Sequence, residues 1–72
     1  MINIQDIVPF MKEGWVAMNK YGDWWWFEKK PEIRFDTWWR PDSYIDTFDA
    51  FNIAPADDWT KSLIRVKGKD NE

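Results

Sequence analysis

Few residues in this 72-residue chain could carry out catalysis. It has no Cys and no His, which excludes thiolate and imidazole chemistry and zinc sites built on those side chains. A nucleophile would have to be Ser43, Ser62, a Thr, a Tyr or a Lys, and none has a base at motif spacing. There is no GxGxxG motif and no phosphate-binding loop. We therefore predict that the chain is not an enzyme and uses no cofactor.

The acidic residues offer one incomplete metal-binding pattern. Asp42, Asp46 and Asp49 would share one face of a helix, where their oxygens could bind Mg²⁺ or Ca²⁺. The pattern lacks the glycine and the twelfth-position glutamate of an EF-hand loop. We predict no metal site and expect these three aspartates to steer a basic partner.

Tryptophan supplies the strongest binding signal. A chain of this size buries only about 60% of its unfolded surface on folding, and each Trp carries roughly 150–250 Å² that favours burial. Seven large rings should therefore leave some area for a partner, a ligand or a second copy of the chain. We predict that the contact anchors are the two blocks of adjacent rings, Trp24, Trp25, Trp26, Trp38 and Trp39.

Charge is unevenly distributed along the chain. The net charge is −3, but residues 36–58 hold six aspartates against Arg40 and have a local charge of −5. This acidic stretch disfavours nucleic-acid binding, which needs a basic surface, although solvated turn aspartates would give the same composition. Arg40 follows Trp38 and Trp39 directly. Its guanidinium could pair with a ligand phosphate or with a neighbouring aspartate, and the sequence leaves both open.

The clearest structural element is a β-hairpin over residues 15–30. Two β-prone runs, Trp15–Met18 and Trp24–Glu28, flank the sequence Asn-Lys-Tyr-Gly-Asp. Asn at the first position and Gly at the fourth suit a type I turn followed by a left-handed glycine. Such a turn predicts the register of the two strands.

That register predicts that both faces of the hairpin are apolar. Met18 would lie opposite Trp24 and Val16 opposite Trp26, which places these four residues on one face. The other face would carry Trp15, Ala17, Trp25 and Phe27. Because one short helix can cover only one face, we expect the chain to self-associate and bury the second.

The flanking segments complete an α+β domain. We expect a helix over residues 7–13, with Asp6 as N-cap and Gly14 as its stop signal. Alternation in Ile33–Trp39 predicts a third strand, with Ile33, Phe35, Thr37 and Trp39 on one side. Segment 43–53 fits a helix or a strand equally well, and Leu63–Lys67 is a short β-prone run.

These elements predict one domain over residues 1–67, with a frayed tail at 68–72. Its fold class is α+β: a short N-terminal helix packed on an antiparallel sheet of three or four strands. We expect a cytoplasmic protein, because no apolar run approaches the roughly 20 residues of a membrane span and no secretory signal is present.

Two stretches resemble small accessory proteins encoded by bacteriophages and prophages, most of which have no assigned activity. They are the hairpin motif over residues 14–31, GWVAMNKYGDW continuing through FEKKP, and the closing motif over 51–64, FNIAPADDWTKSLI. A more general layout is similar to phage inhibitors of the Thoeris defence system, which sequester nucleotide signals. It consists of a helix ending in Glu-Gly, a Trp-bearing hairpin and a closing Asp-Trp.

The resemblance and the composition together imply a non-enzymatic accessory protein that binds and inhibits a host protein in the host cytosol, with an anti-defence role. The alternative is an oligomeric sponge that clamps a nucleotide-like ligand between aromatic rings and Arg40.

Overall fold

A computed structural model describes residues 1–47 and 52–68. The chain begins with α1 (Ile4–Ile7), followed at once by a 3₁₀ turn (Val8–Phe10). Within the described residues there follow β1 (Gly14–Met18), β2 (Trp24–Phe27), β3 (Glu32–Arg34), β4 (Thr37–Trp39), β5 (Ile45–Thr47), a second 3₁₀ turn (Trp59–Lys61) and β6 (Ile64–Val66).

Four of these strands form one antiparallel sheet in the order β5-β2-β1-β6, and β3 pairs with β4 in a separate two-stranded sheet. The hairpin β1–β2 therefore lies at the centre of the main sheet. The predicted fold class, α+β with a short N-terminal helix and an antiparallel sheet, is confirmed.

The central hairpin has the predicted register because its turn is fixed locally. The Asn19 side-chain oxygen accepts hydrogen bonds from the backbone N–H groups of Tyr21 at 2.9 Å and Asp23 at 3.1 Å. Gly22 donates to the Asn19 carbonyl at 3.1 Å and has φ +91°, the left-handed conformation that glycine adopts readily. Met18 then pairs with Trp24, and Val16 with Trp26.

The N-terminal helix differs from the prediction of a helix over 7–13 capped by Asp6. Its N-cap is Asn3, whose side chain accepts from the Gln5 backbone N–H at 2.9 Å. The chain leaves the α-helical path after Ile7, so Pro9 falls at the start of the 3₁₀ turn, where its missing N–H costs little. Pro9 thus ends the α-helix earlier than its apolar pattern suggests.

Gly14 opens β1 and does not end a helix, which also corrects the prediction. A Cβ at this position would lie 2.5 Å from the Phe27 carbonyl oxygen and 2.7 Å from the Trp26 ring. Only glycine allows β1 and β2 to approach this closely over a buried indole.

The predicted single strand Ile33–Trp39 is wrong, because Phe35 and Asp36 form a two-residue loop between β3 and β4. Ile33 pairs with Trp38 across this small hairpin. Phe35 has φ +58°, an unusual conformation for an aromatic residue. The reversal puts Arg34 and Trp39 on the same face, where continuous alternation had placed them on opposite sides.

Both faces of the central hairpin are covered within one chain. Val16, Met18, Trp24 and Trp26 form a buried cluster with Ile4 and Val66, against which the N-terminal segment and residues from 53–64 pack. On the second face, Ala17 and Phe27 are only 1% exposed, and β4 packs against β1. Self-association stays a prediction, but covering this face does not require it.

Ser62 continues the contact between β1 and β6 two residues beyond the last strand pair, Val16 with Ile64, through its side chain. Its hydroxyl oxygen accepts a hydrogen bond from the Met18 backbone N–H at 2.8 Å. Its single proton lies within reach of the carbonyls of Trp59 at 2.7 Å and Met18 at 3.1 Å. Ser62 is buried, and its hydroxyl makes these contacts where the chain leaves the second 3₁₀ turn, before β6 begins.

The C-terminal half resolves part of the ambiguity in segment 43–53. Residues Ile45–Thr47 form a strand, whereas residues 48–51 lie outside the described part of the chain. The short run predicted over 63–67 contains β6. The predicted frayed tail, 68–72, lies outside the description except for Gly68. No helix within the described ranges has the length and apolarity needed to cross a membrane.

We predict that Ser62→Ala lowers the free energy of unfolding by about 1–3 kcal/mol, because it leaves the buried Met18 N–H without its acceptor. Urea unfolding followed by circular dichroism measures the change. Ser43→Ala is the matched control, because Ser43 also accepts a backbone N–H, that of Lys29 at 3.0 Å, but at an exposed site. Equal losses in the two variants would contradict the role given to Ser62.

Candidate functional site

The first tryptophan block is divided between the core and the opposite sheet face. Trp24 and Trp26 are only 4% and 6% exposed, because both lie on the face covered by α1 and the first 3₁₀ turn. Trp25 points to the other face and is half-buried. Its indole N–H is buried and has no hydrogen-bond partner among the described residues. Trp25 is therefore the member of this block with the most area left for a partner.

Three indole N–H groups donate to backbone carbonyls that lie outside the strands. Trp24 donates to Ala54 at 3.2 Å, Trp26 to Lys12 at 3.1 Å and Trp38 to Trp59 at 3.1 Å. Each ring thus packs its apolar surface inside the fold and uses its polar atom to hold a loop. Three of the five tryptophans predicted as contact anchors therefore have a structural role.

The second tryptophan block lies on β4. Trp38 is half-buried by its contact with the second 3₁₀ turn, whereas Trp39 is exposed. The Arg34 guanidinium lies 4.4 Å from the centroid of the Trp39 ring. This stacked pair holds a cation on an exposed aromatic face, which agrees with the contact role predicted for Trp39 without testing it.

Arg40 is paired within the chain. Its Nε donates to Asp42 at 2.6 Å and its Nη1 donates to the Lys30 carbonyl at 3.0 Å. The hydrogen bond from Arg40 is the main reason that the Asp42 pKa falls to about 2, and Lys29 adds a weaker contact at 3.4 Å. The same hydrogen bond raises the pKa of Arg40 above its ordinary value. Of the two possibilities left open by the sequence, the structure contains the aspartate pair.

The three aspartates predicted to steer a partner do not share a helix face. Asp42 lies in the turn before β5, Asp46 lies on β5 opposite Trp26, and Asp49 is outside the described residues. Within the described part of the chain, no group of three or more acidic side chains is arranged to hold a metal ion.

Two strongly exposed aromatic residues of the described part of the chain were not predicted as contact residues. Tyr21, in the β1–β2 turn, is 75% exposed, and Phe35, in the β3–β4 loop, is 90% exposed. The Lys20 ammonium lies 3.7 Å from the Asp36 carboxylate, and the Lys20 N–H donates to the Asp36 carbonyl at 3.4 Å. These contacts join the two loops, and we call Tyr21, Phe35 and this joining pair the hairpin-tip surface.

The signal for Tyr21 was present in the sequence, since a turn residue flanked by Lys and Gly has no core to enter. The signal for Phe35 was hidden by the alternation of its neighbours, which indicated a strand. Because Phe35 lies in the loop between β3 and β4, its ring points away from the sheet, and this became evident only from the structure.

A small cavity of about 150 Å³ lies at the β5 edge of the sheet. It is lined by Met11, Lys12, Trp26, Tyr44 and Asp46. A wider groove of about 350 Å³ runs between the start of α1 and the loop over residues 54–57, with Trp24 and Lys61 among its lining residues.

Comparisons of the chain with known protein families, curated proteins and solved structures find no match.

We predict that Arg40→Gln returns the Asp42 pKa from about 2 towards its ordinary value of 3.8. Because the folded-state pKa is depressed, the Arg40–Asp42 pair stabilises the fold above pH 3.8, and this contribution is lost as the pH falls towards 2. Carboxyl chemical shifts measured by NMR between about pH 1 and about pH 6 test this, because these limits lie roughly one unit below the lower pKa and about two units above the higher one. Lys29→Gln is the control and should move the pKa less; a larger shift there would assign the depression to Lys29.

Proposed function

We propose that this chain is a non-enzymatic binding protein that attaches to a host protein through the hairpin-tip surface and inhibits it. The observation that carries the proposal is Phe35, whose ring is 90% exposed on a backbone with φ +58°. Glycine or asparagine would adopt this conformation at lower cost, since a left-handed non-glycine residue costs on the order of 1–3 kcal/mol. An exposed ring held at that cost does not serve the stability of the fold.

The hairpin-tip surface suits a protein partner better than a lipid or nucleic-acid partner. Exposed aromatic side chains are the residues that most often dominate protein–protein contacts. The charges around the two rings balance, because Lys20 pairs with Asp36, and Asp23, in the β1–β2 turn, is matched by Arg34 at the end of β3. Anionic membranes and nucleic acids both require a surplus of cations.

The acidic stretch and the resemblance to phage accessory proteins support a host target. Asp42, Asp46 and Asp49 would speed the approach of a basic partner, and Trp25, Trp38 and Trp39 would extend the contact beyond the two tips. Inhibition of a defence or regulatory factor in the host cytosol is the role that we propose on this basis.

We predict that Phe35→Asn keeps or raises stability, because it relieves the left-handed strain, while weakening partner binding by about 2 kcal/mol, or roughly thirtyfold in Kd. Pull-down from host lysate identifies the partner, and calorimetry with the purified partner measures the Kd. Phe10→Asn is the matched control. The Phe10 side chain is also strongly exposed, at 75%, but it lies in the first 3₁₀ turn and not on the hairpin-tip surface.

A partner that binds wild type and Phe35→Asn with equal affinity would place the contact elsewhere on the molecule. If no protein is retained by the wild type, the host-protein proposal itself fails.

The nucleotide sponge remains the alternative, and the groove beside Trp24 is the observation that favours it. Its volume of about 350 Å³ is within the range of roughly 300–1,000 Å³ found for small-ligand sites. Lys61 lines this groove and could neutralise a phosphate. Arg40, the cation predicted for this role, is instead held by Asp42 and the Lys30 carbonyl.

If the chain is a sponge, mono-, di- or cyclic nucleotides should quench Trp fluorescence with saturable stoichiometry and raise the melting temperature. Lys61→Gln should reduce both effects. Sedimentation with and without nucleotide tests whether the bound form is an oligomer. Flat emission and an unchanged melting temperature across the series would remove the sponge.

A further inference from the structure

We propose that the cavity at the β5 edge binds an alkylammonium group, supplied by a lysine side chain of a partner protein or by a free quaternary amine. We call this cavity, lined by Met11, Lys12, Trp26, Tyr44 and Asp46, the ammonium pocket. The ammonium pocket is distinct from the hairpin-tip surface, and this proposal does not depend on the function proposed for that surface.

Two aromatic rings form a corner of the ammonium pocket. The centroids of Trp26 and Tyr44 lie 6.2 Å apart, with their planes inclined at 63°. The face of an aromatic ring carries partial negative charge, and Trp attracts cations more strongly than Tyr or Phe. Rings set at an angle around a small cavity form the kind of cage that proteins use for alkylated ammonium groups.

The chain already holds one cation over this corner. The Lys12 ammonium nitrogen lies 5.7 Å from the centroid of the Trp26 ring, within the distance of a cation–π contact. Lys12 is exposed, so its side chain can move aside for an incoming ligand. Its backbone carbonyl continues to accept the Trp26 indole N–H at 3.1 Å, which keeps the ring in position.

The charge and size of the pocket select the ligand class. Lys12 and Asp46 carry opposite charges in the lining, so it is the aromatic faces of Trp26 and Tyr44 that favour a cation over an anion. The volume of about 150 Å³ is well below the roughly 300 Å³ at which sites for drug-sized ligands begin. A single ammonium head group therefore fits, whereas a whole nucleotide does not.

Trp15 provides an internal comparison. Its ring also has cations over it, Lys30 at 5.5 Å and Arg65 at 5.1 Å from the centroid. Arg65 also contacts Glu13 at 3.4 Å. Here two cations already lie over one ring, so Trp15 has no comparable attraction for a third. Lys30 is consequently the matched control for Lys12.

The test is an NMR titration of the full chain with choline chloride, with its neutral isostere 3,3-dimethyl-1-butanol, and with n-butylammonium chloride as a probe for lysine. We expect saturable shifts of the Trp26 indole signal with the cations and not with the neutral alcohol. Tighter binding of n-butylammonium identifies a lysine side chain as the natural ligand, and tighter binding of choline identifies a quaternary amine.

Two variants test the geometry. Tyr44→Ala removes one wall at an exposed position and should weaken cation binding by about two- to thirtyfold, the range of cation–π energies. Lys12→Ala removes the competing ammonium and should tighten binding, whereas Lys30→Ala should leave it unchanged. The dispersion of the remaining signals confirms that each variant is folded.

Three results would overturn the proposal. They are equal shifts with choline and with the neutral alcohol, no saturable shift of the Trp26 signal with either cation, and identical affinities in wild type, Tyr44→Ala and Lys12→Ala. Because no partner protein enters these experiments, their failure would leave the hairpin-tip proposal untouched.

Discussion

The structure depends on burying strand β2, whose four residues Trp24–Phe27 are all aromatic and alternate between two sheet faces. A strand in the middle of a sheet can be apolar on both sides only if both sides are covered. The chain meets this constraint with very little regular structure: α1 and a 3₁₀ turn on one side, and the small hairpin β3–β4 on the other. Most of the remaining architecture follows from this division.

The close approach of β1 to β2 is part of the same solution. Gly14 allows the Trp26 indole to lie against the neighbouring backbone, and Trp26 then reaches both the Lys12 carbonyl and Tyr44. A substitution at Gly14 would therefore disturb the core and the ammonium pocket together. Core packing and the candidate cation site share one ring.

The central hairpin could be predicted from the sequence because its signals are local. Asn19 and Gly22 determine the turn, and the turn determines the register of the strands. The hairpin β3–β4 could not be predicted, because Phe35 is an unusual residue for a left-handed loop position, Asp36 alone is a weak turn signal, and their neighbours alternate like a strand. The helix boundary was missed for a related reason: Asn3 and Asp6 are both good caps, and the position of Pro9 decides between them only once the 3₁₀ turn is known.

The types of residue in the candidate site could be predicted better than their positions in the fold. Its aromatic character was evident from the sequence. A pair between Arg40 and a neighbouring aspartate was one of the two alternatives, and Asp42 is only two positions away. The burial of Trp24 and Trp26 and the exposure of Phe35 depend on which segments cover which face. Those are contacts between residues distant in sequence. The same holds for Tyr44, which meets Trp26 only because the segment beginning at Ile45 became a strand.

The three indole hydrogen bonds to loop carbonyls have a consequence for cooperativity. In a chain with so few helical residues, loops would ordinarily open one by one at little cost. Here the carbonyls of Lys12, Ala54 and Trp59 are each bound by a ring that is itself packed inside the fold. Releasing such a segment removes a partner from a partly buried polar atom, so these segments and the sheet tend to open together. Tryptophan thus gives this small protein a form of internal cross-linking that needs no oxidation and is reversed whenever the chain unfolds.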